Sequence, residues 1–356
     1  MKRGILVSAF LLLALIVSSG PATAVKPYEV TDLGTLGGPY SKAYGINAWG
    51  HVVGAAQTAS KDYHAFLWAN GVIQDLGTLG GTESRAWSVN ASGWVVGGAD
   101  VSSGLLHAFL WKDGVMQDLG TFGGLRSGAH GVSASGQVTG WAYDPSGNYR
   151  AFLWEDGAMQ DLGTLGGAES QAGIMNASGH IVGQSKTVHG YWHAVVWEDG
   201  VIRDLGTFGG DESYANGINA SGQVVGEAET ASGDSHAFVW EDAVMQDLGT
   251  LGGRYSEAWR INASGQIVGY AHTPTGNLRA VLWEDGVIHD LNSLVQDGSG
   301  WILADARDIN DLGQIVGWGY HDGVQRGFLL TPIPEPSALG LFAFAFLIAM
   351  RWRRRG

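Results

Sequence analysis

Four histidines stand at matched places in the chain, His64, His107, His193 and His236, each opening an apolar run such as HAFLW at 64–68. Imidazole is a common zinc ligand, but a shared zinc ion needs its ligands to converge on bonds of about 2 Å. These four belong to separate copies of one repeat, so a ring keeps them apart. They read as strand-start side chains bonding a loop. Gly37 and Gly38 begin a second possibility, a phosphate loop, yet neither they nor their copies are followed by the Lys-Ser/Thr that touches phosphate and magnesium. No GxSxG elbow, HExxH pair or DxDxDG calcium loop occurs, and no motif asks for a cofactor or a metal. Glycoside hydrolysis usually uses two carboxyl groups about 5–10 Å apart. Glu83, Glu169 and Glu212 are the carboxylates placed to serve, and Glu169 with Glu212 is the pair on neighbouring repeats.

Those carboxylates belong to two columns that vary while their surroundings repeat. One holds Tyr40, Glu83, Arg126, Glu169, Glu212 and Tyr255; the other holds Tyr44, Trp87, His130, Gly173, Asn216 and Trp259. Aromatic rings mixed with acids and amides suit a sugar or a peptide. Two readings fit: a ligand face at the mouth of a central channel, or solvated loops left free to drift.

What must position these residues is a repeat. The heptamer DLGTLGG occupies 32–38, 75–81, 161–167 and 247–253, and DLGTFGG occupies 118–124 and 204–210. Their opening residues, Asp32, Asp75, Asp118, Asp161, Asp204 and Asp247, recur every 43 residues, and Asp290 opens a degraded seventh copy. That period marks a propeller or a solenoid. Within the unit 247–289, turn residues separate four short strands, near 256–262, 266–273, 279–283 and 287–291. Four strands in about 40 residues is the size of a propeller blade. The runs HAFLW and QVVG are apolar at consecutive positions, as strands covered on both faces are. Trp68, Trp111, Trp154, Trp197, Trp240 and Trp283 share one repeat position and read as core between blades.

The segment Tyr28–Gly34 matches the fourth strand of the unit, and Arg307–Leu330 supplies the first three. Pairing one with the other closes a ring of seven four-stranded blades and removes an exposed sheet edge. The fold expected is therefore all-β, a seven-bladed β-propeller over residues 25–331. The segment from Gly34 to Gly38 then carries the chain from the outer strand of one blade to the inner strand of the next. Glycine suits that sharp turn against neighbouring backbone. Leu36, or Phe122 and Phe208 at its position, plugs the seam, while Asp32 and its copies accept turn N–H groups. Asn90, Asn176, Asn219 and Asn262, each in Asn-Ala-Ser, read as turn residues.

The two ends carry addresses. Basic Lys2 and Arg3, an apolar run from Ile5 to Val17 and the triplet Ala22-Thr23-Ala24 read as a secretory signal peptide over residues 1–24. Residues 332–356 join Pro334-Glu335-Pro336 to an apolar stretch, Ser337–Met350, and to Arg351, Arg353, Arg354 and Arg355. The stretch is short for a span of about 20 residues, a shortfall that Trp352 and snorkelling arginines make up. Setting aside Lys2, Arg3, the four tail arginines and Glu335 leaves 14 basic against 33 acidic residues, a net charge near −19. Such a body argues against nucleic acid or anionic lipid as a partner. The chain has no cysteine, so an exported form depends on packing for its stability.

The C-terminus resembles the PEP-CTERM sorting signal of Gram-negative bacteria, with its motif, span and arginine cluster in order. That resemblance implies a transient exosortase partner, membrane tethering before processing, cleavage near the motif and delivery to the cell surface or extracellular matrix. The alternative is a permanent anchor. Across about 29–330, the units DLGTLGG…GINASGQVVG…HAFLW resemble the HAF-repeat family of extracellular proteins. Arg150, Arg279 and Arg326 replace the His of the pattern, Val195 replaces its Phe, and the last unit carries an insertion around Leu294–Ala304. The family implies an extracellular setting and brings no catalytic residues. The expectation is a non-enzymatic surface or matrix protein that binds exopolysaccharide or another surface protein. A propeller-based polysaccharide lyase or glycosidase and a ligand-free spacer are the alternatives.

Overall fold

The computed structural model describes residues 27–295 and 299–334. They form seven four-stranded antiparallel sheets in a ring, a seven-bladed β-propeller. In blade 1 the strands are Gly37–Ile46, Val52–Thr58, Tyr63–Ala69 and Val72–Asp75, counted from the axis outward. Blades 2 to 6 follow in sequence, the sixth spanning Ser256–Ile261, Ile267–His272, Leu278–Glu284 and Val287–Asp290. Blade 7 takes Trp301–Ile309, Ile315–His321 and Val324–Pro332 from the end of the ring and Tyr28–Asp32 from its beginning. Tyr28 stands opposite Pro332 and Asp32 opposite Phe328, so the expected closure is present. The insertion secures it: Tyr28 N–H donates to Leu294 O at 2.8 Å, and Tyr28 bridges Val295 in parallel.

The crossovers behave as their glycines require. Gly34 and Gly37 have φ of 78° and 107°, and a Cβ on Gly38 would stand 2.6 Å from Thr58 O. Asp32 Oδ1 accepts Gly34 N–H at 2.8 Å, and the copies from Asp75 to Asp247 repeat the bond. The histidines bond these same turns. His64, His107, His193 and His236 place Nδ1 within 2.8–2.9 Å of Asp75, Asp118, Asp204 and Asp247. Arg150 serves Asp161 in the same way.

Each core cluster straddles a seam. Leu33, Ala43, Ile46, Val52 and Phe66 pack with Val316 and Leu329 of blade 7, and Leu36 lies against them. Phe122 and Phe208 plug equivalent seams. The tryptophan column is core by degrees. Trp197 and Trp283 are buried, while Trp68, Trp111, Trp154 and Trp240 are half-buried. The two buried indoles belong to the blades whose HAF phenylalanine is replaced by Val195 or Val281, two residues earlier on the same face. The smaller valine leaves volume for the indole to fill, as close packing demands.

The 1–2 turns lie at the far end of the channel from the crossovers, and there the turn asparagines do more than shape turns. Asn219 Oδ1 accepts Ser221 N–H at 3.1 Å and Gln223 N–H at 3.0 Å, while its Nδ2 donates to Asn262 O of the next blade at 3.4 Å. Asn47, Asn90, Asn176, Asn262 and Asn310 donate likewise, to Asn90 O, Ser133 O, Asn219 O, Asn310 O and Asn47 O. The result is a belt around the axis, open only where Ser133 cannot reach Asn176.

Candidate functional site

The innermost strands bring one of the two variable columns to the channel. Tyr44, Trp87, His130, Gly173, Asn216 and Trp259 meet there as expected, and blade 7 adds Arg307. Together they line a cavity of about 370 Å³ on the crossover side of the asparagine belt. That volume lies within the range of small-molecule pockets. Gln171, Gln184, Tyr214, Glu227 and Glu257 complete its upper wall. These five come from two further columns that face each other across the first and second strands, Gln171 opposite Gln184, Tyr214 opposite Glu227 and Glu257 opposite Tyr270. Sequence reasoning missed them, although both columns vary as much as the two it chose. In other blades the same pair of positions holds Lys42 with Ala55, and Asp305 with Trp318.

The column from Tyr40 to Tyr255 lies outside this cavity. Tyr40 and Tyr255 are exposed. Glu83 and Arg126 border a separate small pocket beside Arg85 and Asp100. Glu169 is ion-paired with Lys186, and Glu212 accepts the Tyr214 hydroxyl at 2.7 Å. The physical reason is the direction of the chain: these residues stand where the first strand is still entering from the crossover, above the bowl. Pro334 is exposed at the end of the described chain. Glu335, Pro336, Ser337–Met350, Arg351, Arg353, Arg354 and Arg355 lie outside the described residues, as does the segment 1–24. Among the described residues, no helix is long and apolar enough to cross a membrane and no His/Cys/Asp/Glu group could hold a metal.

Charge inside the bowl is partitioned. Arg307 stacks 3.8 Å above the Trp259 ring, and its Nε lies 3.2 Å from Asp305, which also accepts the indole N–H of Trp259 at 2.9 Å and of Trp318 at 3.0 Å. Below them Arg260 donates to Asn216 O at 2.6 Å and Trp259 O at 2.9 Å. Its partner is Asp308, 3.9 Å away, whose carboxylate accepts Ile46 N–H and Ile309 N–H at 2.9 Å. Desolvation pushes Asp308 up to about 6, against the pull of Arg260 and these N–H groups. Loss of solvent likewise drives His130 down to about 4, so its ring is neutral at pH 7, and Nδ1–H donates to Ala172 O at 3.2 Å. Trp87 meets that ring edge-on at 5.1 Å.

In blades 5 and 6 two further carboxyl groups lack a cation. Glu257, 8% exposed, accepts Asn216 Nδ2 at 3.0 Å. Burial raises it to about 8, with help from the negative charge of Glu227. Burial also raises Glu227 to about 7, with Glu212 contributing. Such a bowl can stack a planar or pyranose face on indole, hydrogen-bond hydroxyls through Gln171, Gln184 and Asn216, and hold one or two protons between its glutamates.

No protein-family model and no curated protein matches the chain. Solved structures do. A puromycin-hydrolyzing peptidase from Mycobacterium tuberculosis is 12% identical, with 86% of this chain and 54% of that one aligned at a TM-score of 0.52. TolB from Acinetobacter baumannii is 11% identical over 84% of this chain and 65% of its own, with a TM-score of 0.47. The Aleuria aurantia lectin, solved with α-methyl-L-fucoside, is 13% identical over 86% of this chain and 99% of its own, at 0.38. This chain thus spans 65% or less of the length of the first two. At such identities the shared property is the propeller fold.

Proposed function

We propose that this chain is an exported, non-enzymatic β-propeller of the HAF-repeat type that binds exopolysaccharide, or another surface or matrix protein, in its central bowl. Its PEP-CTERM-like end would deliver it, through exosortase, to the surface of a Gram-negative cell or its matrix. One observation carries the binding role. In a ring whose seam, turn and belt positions are nearly identical from blade to blade, the positions facing the bowl vary from blade to blade, and they offer aromatic faces and amides. A spacer without a ligand gives those columns no reason to gather tryptophan, tyrosine, amide and carboxyl groups around one cavity.

The test is a glycan array probed with the purified protein and with Trp87→Ala. Saturable binding to one glycan class, lost in a variant that melts within a few degrees of wild type, is the expected result. Binding unchanged by the substitution moves the site elsewhere, and no saturable signal on any glycan or matrix protein returns the chain to a spacer. The raised glutamates favour a second reading, because a protonated carboxyl beside another is the equipment of acid–base hydrolysis. Cleavage of a bound glycan that disappears in Glu227→Gln would install that reading in place of the first.

A further inference from the structure

We propose that the wall of the bowl formed by blades 5 and 6 binds an ammonium group carried on a hydroxylated chain, the chemistry of a polysaccharide containing free amino sugars. The proposal deepens the binding reading above and rests on it. Its ground is an imbalance of partners. The arginines that line the bowl, and the cations beside them, are already engaged: Arg307 with Asp305 and Trp259, Arg260 with Asp308 and two carbonyls, Arg85 with Glu83 at 2.9 Å, and Lys42 over the Trp318 ring at 4.3 Å. Glu227 and Glu257 face the cavity without a cation. The groups around them are Tyr214 and Tyr270, the carboxylates Glu212 and Asp305, and Arg307, which Asp305 holds.

A ligand ammonium entering between these glutamates relieves their mutual repulsion and replaces part of the lost hydration, the condition under which a buried carboxylate pair becomes favourable. Tyr214, on the same wall, adds a ring that attracts a cation. The hydroxylated part of the ligand meets Gln171, Gln184 and Asn216. Gln184 Nε2 donates to Gln171 Oε1 at 2.7 Å, which orients the two amides and leaves one N–H₂ and one carbonyl for the ligand. The strongly acidic surface of the whole ring favours approach of a polycation over that of a polyanion.

The experiment is calorimetric titration of the purified propeller with a glucosamine pentamer and, separately, with its fully N-acetylated counterpart, at pH 7 and pH 5. The proposal expects the amino form to bind at least tenfold tighter at pH 7. It also expects the amino form to weaken at pH 5, although the ligand is then more positively charged, because Glu227 then joins Glu257 in holding a proton that the ammonium must displace. Glu227→Gln, which removes a charge that burial disfavours and so keeps the fold, should lose the tenfold preference. Asp199→Asn, on an exposed hairpin turn, should keep it. Equal affinity for the two pentamers overturns the amino-sugar inference and leaves glycan binding standing. Binding that strengthens at pH 5, or that Asp199→Asn weakens as much as Glu227→Gln, assigns the signal to general surface attraction and overturns it too. Binding of a lysine-rich peptide in place of either pentamer overturns it in favour of a protein ligand, and silence with all three removes the bowl as a binding site.

Discussion

Asn47, Asn90, Ser133, Asn176, Asn219, Asn262 and Asn310 stand at one end of the innermost strands. Three residues earlier on the same strands stand Tyr44, Trp87, His130, Gly173, Asn216, Trp259 and Arg307. The backbone geometry of the two columns is the same from blade to blade, yet one column is almost uniform and the other never repeats a residue outside its two tryptophans. The difference lies in the task. Each asparagine closes its own turn and reaches the next blade, and only a side chain with a carbonyl and an N–H₂ at that length can do both. The bowl residues have no common duty to the backbone, so each blade can present something different. Uniform columns hold the ring, and variable columns are free to serve a ligand. Substitutions in the two classes should therefore separate, one lowering stability and the other altering binding without loss of stability.

The sharpest separation is expected at a uniform column inside the second strands. Gly54, Gly97, Gly140, Gly183, Gly226, Gly269 and Gly317 all lie so close to the first strand that an added Cβ would fall 1.9–2.1 Å from a carbonyl oxygen. For Gly54 that oxygen belongs to Lys42, and a second contact, the Phe66 ring at 2.8 Å, blocks retreat. Overpacking of this kind costs roughly 3 kcal/mol and sometimes more. Gly54→Ala should accordingly abolish folding or lower the urea midpoint drastically, while Trp87→Ala in the bowl leaves the midpoint almost in place. Similar midpoints for the two variants would erase the division between skeleton and bowl.

Next in size is a substitution expected to stabilise. Glu257 holds a proton in the folded chain up to about pH 8, whereas in the unfolded chain it releases that proton near its ordinary value of 4.5. Between those values the folded state binds more protons than the unfolded one, so stability falls as pH rises through the window. His130 acts in the opposite sense. It refuses a proton down to about pH 4 that the unfolded chain accepts near 6.5, so stability also falls as pH drops below 6.5. Glu257→Gln keeps an acceptor for Asn216 and removes the alkaline loss. Denaturant unfolding at pH 8 should show it more stable than wild type by on the order of 2 kcal/mol, and at pH 5 nearly equal to it. A residue that weakens the fold at neutral pH is what a binding site contributes when function outweighs stability. A Glu257→Gln variant no more stable than wild type at pH 8 would remove that argument.

Much of the architecture was legible because each repeated feature has a cause within the repeat. The interval of 43 residues, the Asp–Gly turn bonds, the strand order and the exchange of Tyr28–Asp32 into blade 7 all follow from pattern and from the need to leave no sheet edge. The bowl was half legible. Variation between repeats singled out Tyr44, Trp87, His130, Asn216 and Trp259, all of which line it. The same signal was present at the Glu257 and Glu227 positions, but deciding which variable columns face the axis requires the twist of the strand, and a period of two cannot supply that. Arg307 was hidden for another reason. Five extra residues precede it, as the spacing of 48 between Asn262 and Asn310 shows against 43 elsewhere, so counting by the repeat passes over it. The belt escaped because an Asx turn explains each asparagine completely within its own blade.

The smallest expected effect tests that belt at its gap. Ser133 Oγ accepts Gln137 N–H at 3.0 Å, as the asparagines do in their turns, but it has no second arm, and nothing crosses from blade 3 to Asn176 O. Ser133→Asn keeps the turn bond, since the Asn carbonyl takes the place of the hydroxyl in the six other blades, and adds an N–H₂ aimed at blade 4. One new hydrogen bond between partly buried groups is worth about 0.5–1.5 kcal/mol. The gain should appear as a rise of a few degrees in melting temperature, with affinity for any ligand of the bowl unchanged, because the gap lies at the other end of the channel. If Ser133→Asn melts no higher than wild type, the belt is a by-product of seven similar turns. If it changes ligand affinity, the two ends of the channel are coupled, and the division between the column that holds the ring and the column that meets the ligand fails at its boundary.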